Sequence, residues 1–363
     1  MNSLLTAIRH NPLLWLLAFV PVLFAAQELE PEAHTLLFVL SVLAIVPLST
    51  LLSHATESVA AKTGDAVGGL LNATLGNLAE LVIALAALRA GQYTLVKATL
   101  AGTIVTNTLF ILGASFLLGG LKHHVQEYNR VSARMQAGLL FLATISLLIP
   151  SAMSIDSEAG VVFSQKLSLG LAVLLIVSYG LGMLFSLKTH RTEFASADHG
   201  AVREAAWPMG LALATLAGVT VLIALVSEVF VESVQKAAEA FGMTPAFVGF
   251  IIVSLVGGAS AMPTAFSGAR KDRLDLSVGI ALGSASQIAL FVAPVLVLVS
   301  YVVGPVPMDL KFWPGAVVMM LIATLTASLV TNSGRSAWFV GVLMLMVYLT
   351  FSMTLYLLPP RLQ

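Results

Sequence analysis

The sequence predicts an all-α integral membrane protein, and three observations carry that prediction. Of its 363 residues, 58% are hydrophobic and only 10% charged, against about 25% charged in an ordinary soluble domain. Apolar runs recur along the chain, each about 20 residues long, the length an α-helix needs to cross roughly 30 Å of hydrocarbon. Two glycine-rich apolar stretches also echo each other at a fixed offset, which predicts two related halves.

A hydropathy window of about 19 residues places eleven spans, near residues 12–27, 36–53, 66–88, 96–119, 133–151, 167–187, 208–228, 244–267, 276–301, 313–331 and 338–358. The first, from Pro12 to Ala26, follows Arg9 and has the outline of a signal peptide. Val22–Gln27 offers only a loose cleavage site, however, and the charge pattern works with the segment kept, so retention is expected.

Charge then orients the spans. With the N-terminus in the cytoplasm, the inside segments hold Arg9, Lys62, Lys122, Arg130, Arg134, Lys188, Arg191, Arg203, Arg270, Lys271, Arg273 and Arg335. The outside segments hold Arg89, Lys97, Lys166, Lys236, Lys311 and Arg361, a two-to-one bias of the expected sign. An even number of spans breaks this alternation. Lys+Arg and Asp+Glu both number 18, and a net charge of zero argues against a nucleic-acid partner, which needs a basic face. No cysteine occurs, so there is no disulfide framework, thiol nucleophile or thiolate metal site.

The internal repeat is ungapped over the matching stretch. Gly76 and Gly257 stand 181 residues apart, and the same offset pairs Ala84 with Ala265, Arg89 with Arg270, Gly102 with Gly283 and Phe110 with Phe291. The paired segments are spans three and four, and spans eight and nine. Five spans separate the copies, an odd number, so they face opposite ways. Inverted repeats of this kind mark secondary transporters, whose site lies near the bilayer midplane where the repeats meet. The expected organisation is an N-terminal helix over 1–30, a first repeat over 31–187, a cytoplasmic linker over 188–206 and a second repeat over 207–363.

The third span holds the chemistry. It contains Gly64, Gly68, Gly69, Asn72, Thr74, Gly76, Asn77 and Glu80. In a continuous helix Asn72, Gly76 and Glu80 share one face. Glu80 is the only carboxylate deep in any expected span. Holding a charge at that depth costs about 2.5–3.5 kcal/mol on insertion scales, so such a residue marks a functional site by default. A protonated glutamate bonded to a neighbouring helix is the structural alternative. Gly76 lets the helix unwind and expose carbonyls to a cation. Span four adds Thr103, Thr106 and Asn107, and its copy adds Ser284, Ser286 and Gln287. Singly, each of these reads as a helix-packing hydrogen bond; together around Glu80 they supply hard oxygen ligands for a cation.

The seven histidines lie mostly near loops and show no metal-ligand spacing, and Glu57 and Glu228 fall at span ends. Trp207 and Trp313 suit the interfacial aromatic belt. No nucleophile elbow, zinc-protease helix or phosphate loop is present, so the sequence does not read as an enzyme, and it calls for no cofactor.

The run Gly68–Gly69–Leu70–Leu71–Asn72–Ala73–Thr74–Leu75–Gly76–Asn77–Leu78–Ala79–Glu80–Leu81 resembles the first signature helix of the calcium/cation antiporter superfamily, in its calcium/proton exchanger branch. Phe247–Val253, Lys271–Leu276, Gly279–Ser284 and Gln287–Val292 are similar to that family's second half. The resemblance implies one extra N-terminal helix plus two inverted five-helix repeats, with a glutamate from each signature helix on one central ion. Glu80 takes the first role, completed by Asn77 and the carbonyls around Asn72–Gly76. The implied partners are the transported cation, calcium by this resemblance, the proton and the lipid bilayer. The short N-terminal tail and the lack of a regulatory domain fit a prokaryotic inner membrane, and a homo-oligomer is compatible with it.

The second signature departs from the family's Gly-Asn-Ala-Ala-Glu-His. Here Gly257–Gly258–Ala259–Ser260–Ala261–Met262 stands in its place, with Ala261 where the second glutamate belongs. Ser260, Thr264 and Ser267 share one face and offer dipoles without charge. Calcium wants six to eight oxygens and usually several carboxylates, so three readings stay open. They are calcium/proton exchange at an unusual site, monovalent cation/proton exchange at a single carboxylate, and a transport-inactive relative.

Overall fold

The computed structural model describes residues 11–63, 65–153, 157–189 and 207–358. Arg9, His10, Gly64, His190, Arg191, His199, Arg203, Arg361 and most of the 188–206 linker lie outside the described residues. Everything else is helical apart from short connections and one two-stranded ribbon.

Among the described residues, nine helices are long and apolar enough to cross a membrane. They are α1 (Pro12–Leu29), α2 (His34–Ala60), α5 (Tyr93–His123), α6 (Arg130–Ala152), α7 (Ala159–Thr189), α8 (Met209–Ala240), α11 (Leu274–Val303), α12 (Pro314–Thr331) and α13 (Trp338–Leu357). A pair bent by 63°, α9 (Pro245–Gly258) and α10 (Met262–Arg270), is long and apolar enough to make a tenth if it counts as one span. The remaining expected span, 66–88, folds as two short helices, α3 (Asp65–Leu75) and α4 (Leu78–Arg89). Each of the eleven expected spans thus falls on one helix or on one broken pair.

The two breaks have local causes. Between α3 and α4 the ladder is interrupted at Gly76 and Asn77, a pair that pays little to leave helical geometry. Between α9 and α10 the interruption covers Ala259–Ala261, just before Pro263, which sits in the first turn of α10. Proline tolerates that position because its missing N–H is unpaired there in any helix.

Helices α5 and α11 each contain a π-helical turn, at Thr106–Ile111 and Ile288–Val292, and the two end 181 residues apart. A third lies at Val248–Val253 in α9. Such turns insert one residue into the ladder and gather at functional sites. Here they interrupt α5 at Asn107 and α11 directly after Gln287.

The long helices α2 and α8 pack against each other along much of their length, and α8 also lies on α4. Helix α5 is central and contacts α9, α10, α11, α12 and α13. Outward faces of α7, α8 and α13 expose Leu174, Leu181, Val221, Leu343 and Leu349, as expected where lipid rather than water is the solvent. The ribbon pairs β1 (Val125–Glu127) antiparallel with β2 (Arg335–Ala337) and ties the end of α5 to the start of α13. Trp207, expected in the aromatic belt, is instead buried and stacks on His54, with ring centroids 6.3 Å apart.

The crossing of α5 with α9 depends on Gly102. A Cβ there would lie 2.1 Å from the Phe250 carbonyl oxygen and 2.5 Å from its Cα. Backbone atoms cannot swing aside as a side-chain tip can. Gly102→Ala is therefore expected to force the helices apart and destabilise the protein by at least about 1–3 kcal/mol, read as a lowered melting temperature of the detergent-solubilised protein.

Candidate cation site

Glu80 lies in the first turn of α4 and is 6% exposed. It faces the backbone of α9: a Cβ at Gly257 would stand 2.8 Å from Glu80 Cγ and 3.2 Å from Oε1. The missing side chain at Gly257 is what lets the carboxyl group reach the other half of the chain.

A turn before Glu80, Asn77 enters a polar network that also joins the halves. Its Nδ2 donates to Gln287 Oε1, and more weakly to the Ser284 carbonyl at 3.5 Å. Its Oδ1 accepts from Ser284 Oγ at 2.7 Å. Ser284 Oγ in turn accepts from Asn107 Nδ2 at 2.9 Å. Asn77, Asn107 and Gln287 are buried, Ser284 half-buried. Gln287 Nε2 is buried with no hydrogen-bond partner among the described residues. Buried polar groups are almost always paired, so an unpaired one in this network fits a site that an incoming ion rearranges. Gly76 sits against Gln287, where a Cβ would be 3.2 Å from Oε1.

The other candidates are placed differently. Thr103 is buried, but its hydroxyl donates to the Thr99 carbonyl of its own helix at 2.8 Å. Ser260 is half-buried in the break between α9 and α10. Asn72 is exposed before the first break, whereas Glu80 is buried after it. The shared face expected of Asn72, Gly76 and Glu80 assumed an unbroken helix, and the break at Gly76–Asn77 removes it. Nor is the Asn72 carbonyl left free, since it accepts from the Gly76 N–H at 2.8 Å.

The sequence reading named Thr106 but not its buried partners, Ser254 and Tyr348. Thr106 Oγ1 lies 3.0 Å from Ser254 Oγ and 3.3 Å from Tyr348 Oη. It links α5 to α9 and to the last helix. A tyrosine within an otherwise apolar span was the available signal, because a buried phenol needs a partner.

The second half lacks the matching groups. At the 181-residue offset, Asn77, Glu80 and Asn107 correspond to Gly258, Ala261 and Ile288. Ala261 is half-buried, and Thr106 and Thr103 are the counterparts of Gln287 and Ser284. No three His, Asp or Glu side chains gather anywhere among the described residues. The second half thus adds Ser284 and Gln287 to the network, but no carboxylate at the position related to Glu80.

Sequence comparison agrees with this architecture. The pattern described as "Sodium/calcium exchanger protein" matches residues 33–188 and 211–357, most of the chain. The chain belongs to the sodium/calcium exchanger protein family. Within that family it is 36% identical over 359 residues to the Ca(2+)/H(+) antiporter of Aphanothece halophytica, covering 95% of this chain and 96% of that one. It is 37% identical over 326 residues to the Ca(2+)/H(+) antiporter ChaA of Bacillus subtilis, covering 89% and 92%. The solved structure of native YfkE superposes with a TM-score of 0.83 at 34% identity, over 96% of this chain and all of that one. The chain is thus an integral membrane protein of a transporter family.

Within the polar network Ser284 is the shared partner of Asn77 and Asn107. Ser284→Ala is expected to leave both amides under-satisfied and to weaken cation affinity about tenfold, the loss typical when a group that orients a ligand is removed. The change should appear in the KM for the transported cation more than in the melting temperature.

Proposed function

We propose that this chain is a secondary transporter that exchanges calcium for protons by alternating access. Glu80 holds the cation when ionised and a proton when the cation has left. The observation behind this reading is that Glu80 is the one buried Asp or Glu among the described residues and abuts Gly257 of the other half. A buried carboxylate at such a junction is costly to keep unless it is used. The names of the antiporter relatives support calcium and protons as the exchanged ions.

Asn77, Gly76, Ser284, Gln287 and Asn107 form the neutral part of the site in this reading, with Gly257 giving the room. Asn72, Thr103 and Ser260 are outlying members, Asn72 at the approach. Residues 31–187 and 207–363 act as inverted repeats after an N-terminal helix, joined by the 188–206 linker. Helices α2 and α8 slide against the core formed by α3–α5 and α9–α11 to open one side at a time. The protein sits in a prokaryotic plasma membrane with a cytoplasmic N-terminus, as the Lys and Arg bias and the bacterial relatives suggest.

Ala261 favours a second reading, monovalent cation/proton exchange. One carboxylate neutralises sodium or potassium but leaves bound calcium with one net positive charge, which a low-dielectric site penalises by several kcal/mol. Proteoliposomes with an imposed pH gradient, tested separately with calcium, sodium and potassium, decide between them. Calcium uptake that collapses with the gradient supports the first reading. Sodium or potassium flux without calcium flux supports the second. Failure of all three ions contradicts both and leaves a transport-inactive relative.

A further inference from the structure

Three cations stand together at one end of the helix core. Lys122 lies in the last turn of α5, Arg270 ends α10 and Lys271 follows it. With Pro263, Phe266 and Ser267 of α10 they line a pocket of about 450 Å³, none of which belongs to the network around Asn77. We infer that this pocket binds the phosphate headgroup of an anionic phospholipid on the cytoplasmic side of the membrane.

The cations are held in place without being neutralised. Lys122 Nζ donates to the Arg270 carbonyl at 3.0 Å, which fixes the ammonium at the pocket and leaves it two N–H groups. His123 Nε2 meets the same carbonyl at 3.1 Å. Among the described residues, none of the three cations pairs with a carboxylate. The acids nearest in sequence are engaged elsewhere. Asp272 accepts from Gln126 Nε2 at 2.8 Å, Glu127 pairs with Arg335 at 2.6 Å, and Asp275 accepts from the Asn129 N–H.

The inward bias of Lys and Arg accounts for the sign of these charges but not for their grouping. At the opposite end of the core the 181-residue offset places Ala90 for Lys271 and Val303 for Lys122. Arg89, the counterpart of Arg270, meets Glu228 there at 3.4 Å. The cluster is thus a property of this face and not of the repeated fold. Two features favour a lipid over a free phosphate. The cations sit at helix ends, where headgroups lie, and basic pockets between helices on that side hold anionic headgroups. The other wall is apolar: Phe266 is half-buried, and Pro263 lies exposed about 10 Å back along α10. That surface suits the glycerol and the first carbons of an acyl chain.

The test is binding of fluorescent phosphatidylglycerol to the purified, detergent-solubilised protein, with zwitterionic phosphatidylcholine as the comparison. Phosphatidylglycerol is expected to bind at least about tenfold tighter. Arg270→Gln and Lys271→Gln are each expected to weaken it about fivefold, the share of one cation beside an anionic headgroup, and to leave phosphatidylcholine unchanged. Arg134→Gln removes an exposed cation at the start of α6, outside the pocket, and is expected to change neither. Equal affinity for the two lipids overturns the inference. Equal weakening by Arg134→Gln overturns it too, because the attraction then follows overall charge. Inorganic phosphate that displaces phosphatidylglycerol at equal concentration overturns the choice of a lipid and leaves a free-anion site. Lys271 lies in an exposed turn, so Lys271→Gln carries the test alone if Arg270→Gln does not fold.

Discussion

Replacing Glu80 with glutamine is expected to remove pH-gradient-driven calcium uptake. The amide keeps the shape of the side chain, so the buried position in α4 and the contact with Gly257 are retained. What it loses is the charge that would offset a bound cation and the carboxyl proton of a buried glutamate. Removing one partner of a buried ion pair costs about 3–5 kcal/mol, which corresponds to two to four orders of magnitude in affinity. Proteoliposome uptake should fall to the level of protein-free vesicles, while the melting temperature stays near that of the wild type or rises. A Glu80→Gln protein that exchanges calcium for protons at the wild-type rate takes Glu80 out of the mechanism.

The second large effect is expected at Gly257. Substitution by valine places its Cβ 2.8 Å from Glu80 Cγ and adds two methyl groups beyond it. The carboxyl group must then leave the backbone of α9, and the contact through which it reaches the second half is lost. Overpacking of this kind costs about 1–3 kcal/mol, and transport should fall by at least about tenfold with a modest loss of stability. Gly258→Ala is the control, since a Cβ there meets its nearest neighbour, Ile111 Cδ1, at 3.4 Å. If Gly257→Val and Gly258→Ala reduce transport equally, proximity to Glu80 is not the reason.

Much of the architecture was legible because burial in lipid imposes a simple rule. Every crossing must satisfy its own backbone, so apolar runs of fixed length translate directly into helices. The ends of α2 and α8 show where that rule stops: α2 continues to Ala60 and α8 to Ala240, beyond the expected 53 and 228. Hydropathy marks the segment inside the bilayer, while the helix continues as long as its residues favour one, here through Glu228–Ala240. The ribbon of β1 and β2 was not legible, because three residues per strand are too few to show a period of two.

The site was read less completely. Glu80 stood out because no other carboxylate lies so deep in an expected span. Asn77, Asn107, Ser284 and Gln287 were found as polar residues on the right spans, but their convergence depends on where the π-helical turns fall. No local pattern in Thr106–Ile111 or Ile288–Val292 announces such a turn. Asn72 was placed with Glu80 by helical periodicity, which the Gly76–Asn77 break cancels. Ser254 and Tyr348 were missed because a single hydroxyl in an apolar helix usually bonds its own backbone, as Thr103 does here.

The repeat makes the one-sidedness of the site physically interpretable. Gly258, Ala261 and Ile288 stand where symmetry calls for an amide, a carboxylate and an amide. These three positions carry neither amide nor carboxylate, while Ser284 and Gln287 of the same half bond Asn77. In the reading proposed above, the first half supplies the carboxylate and the second half neutral polar partners.

The most direct test of the Glu80 assignment is proton release on cation binding to the purified, detergent-solubilised protein. Calcium is added at a weakly acidic pH in dilute buffer, and the change is followed with a pH indicator. The account predicts release approaching one proton per bound calcium in the wild type and none in Glu80→Gln. Calcium binding with no proton release in the wild type, or equal release in the variant, contradicts it.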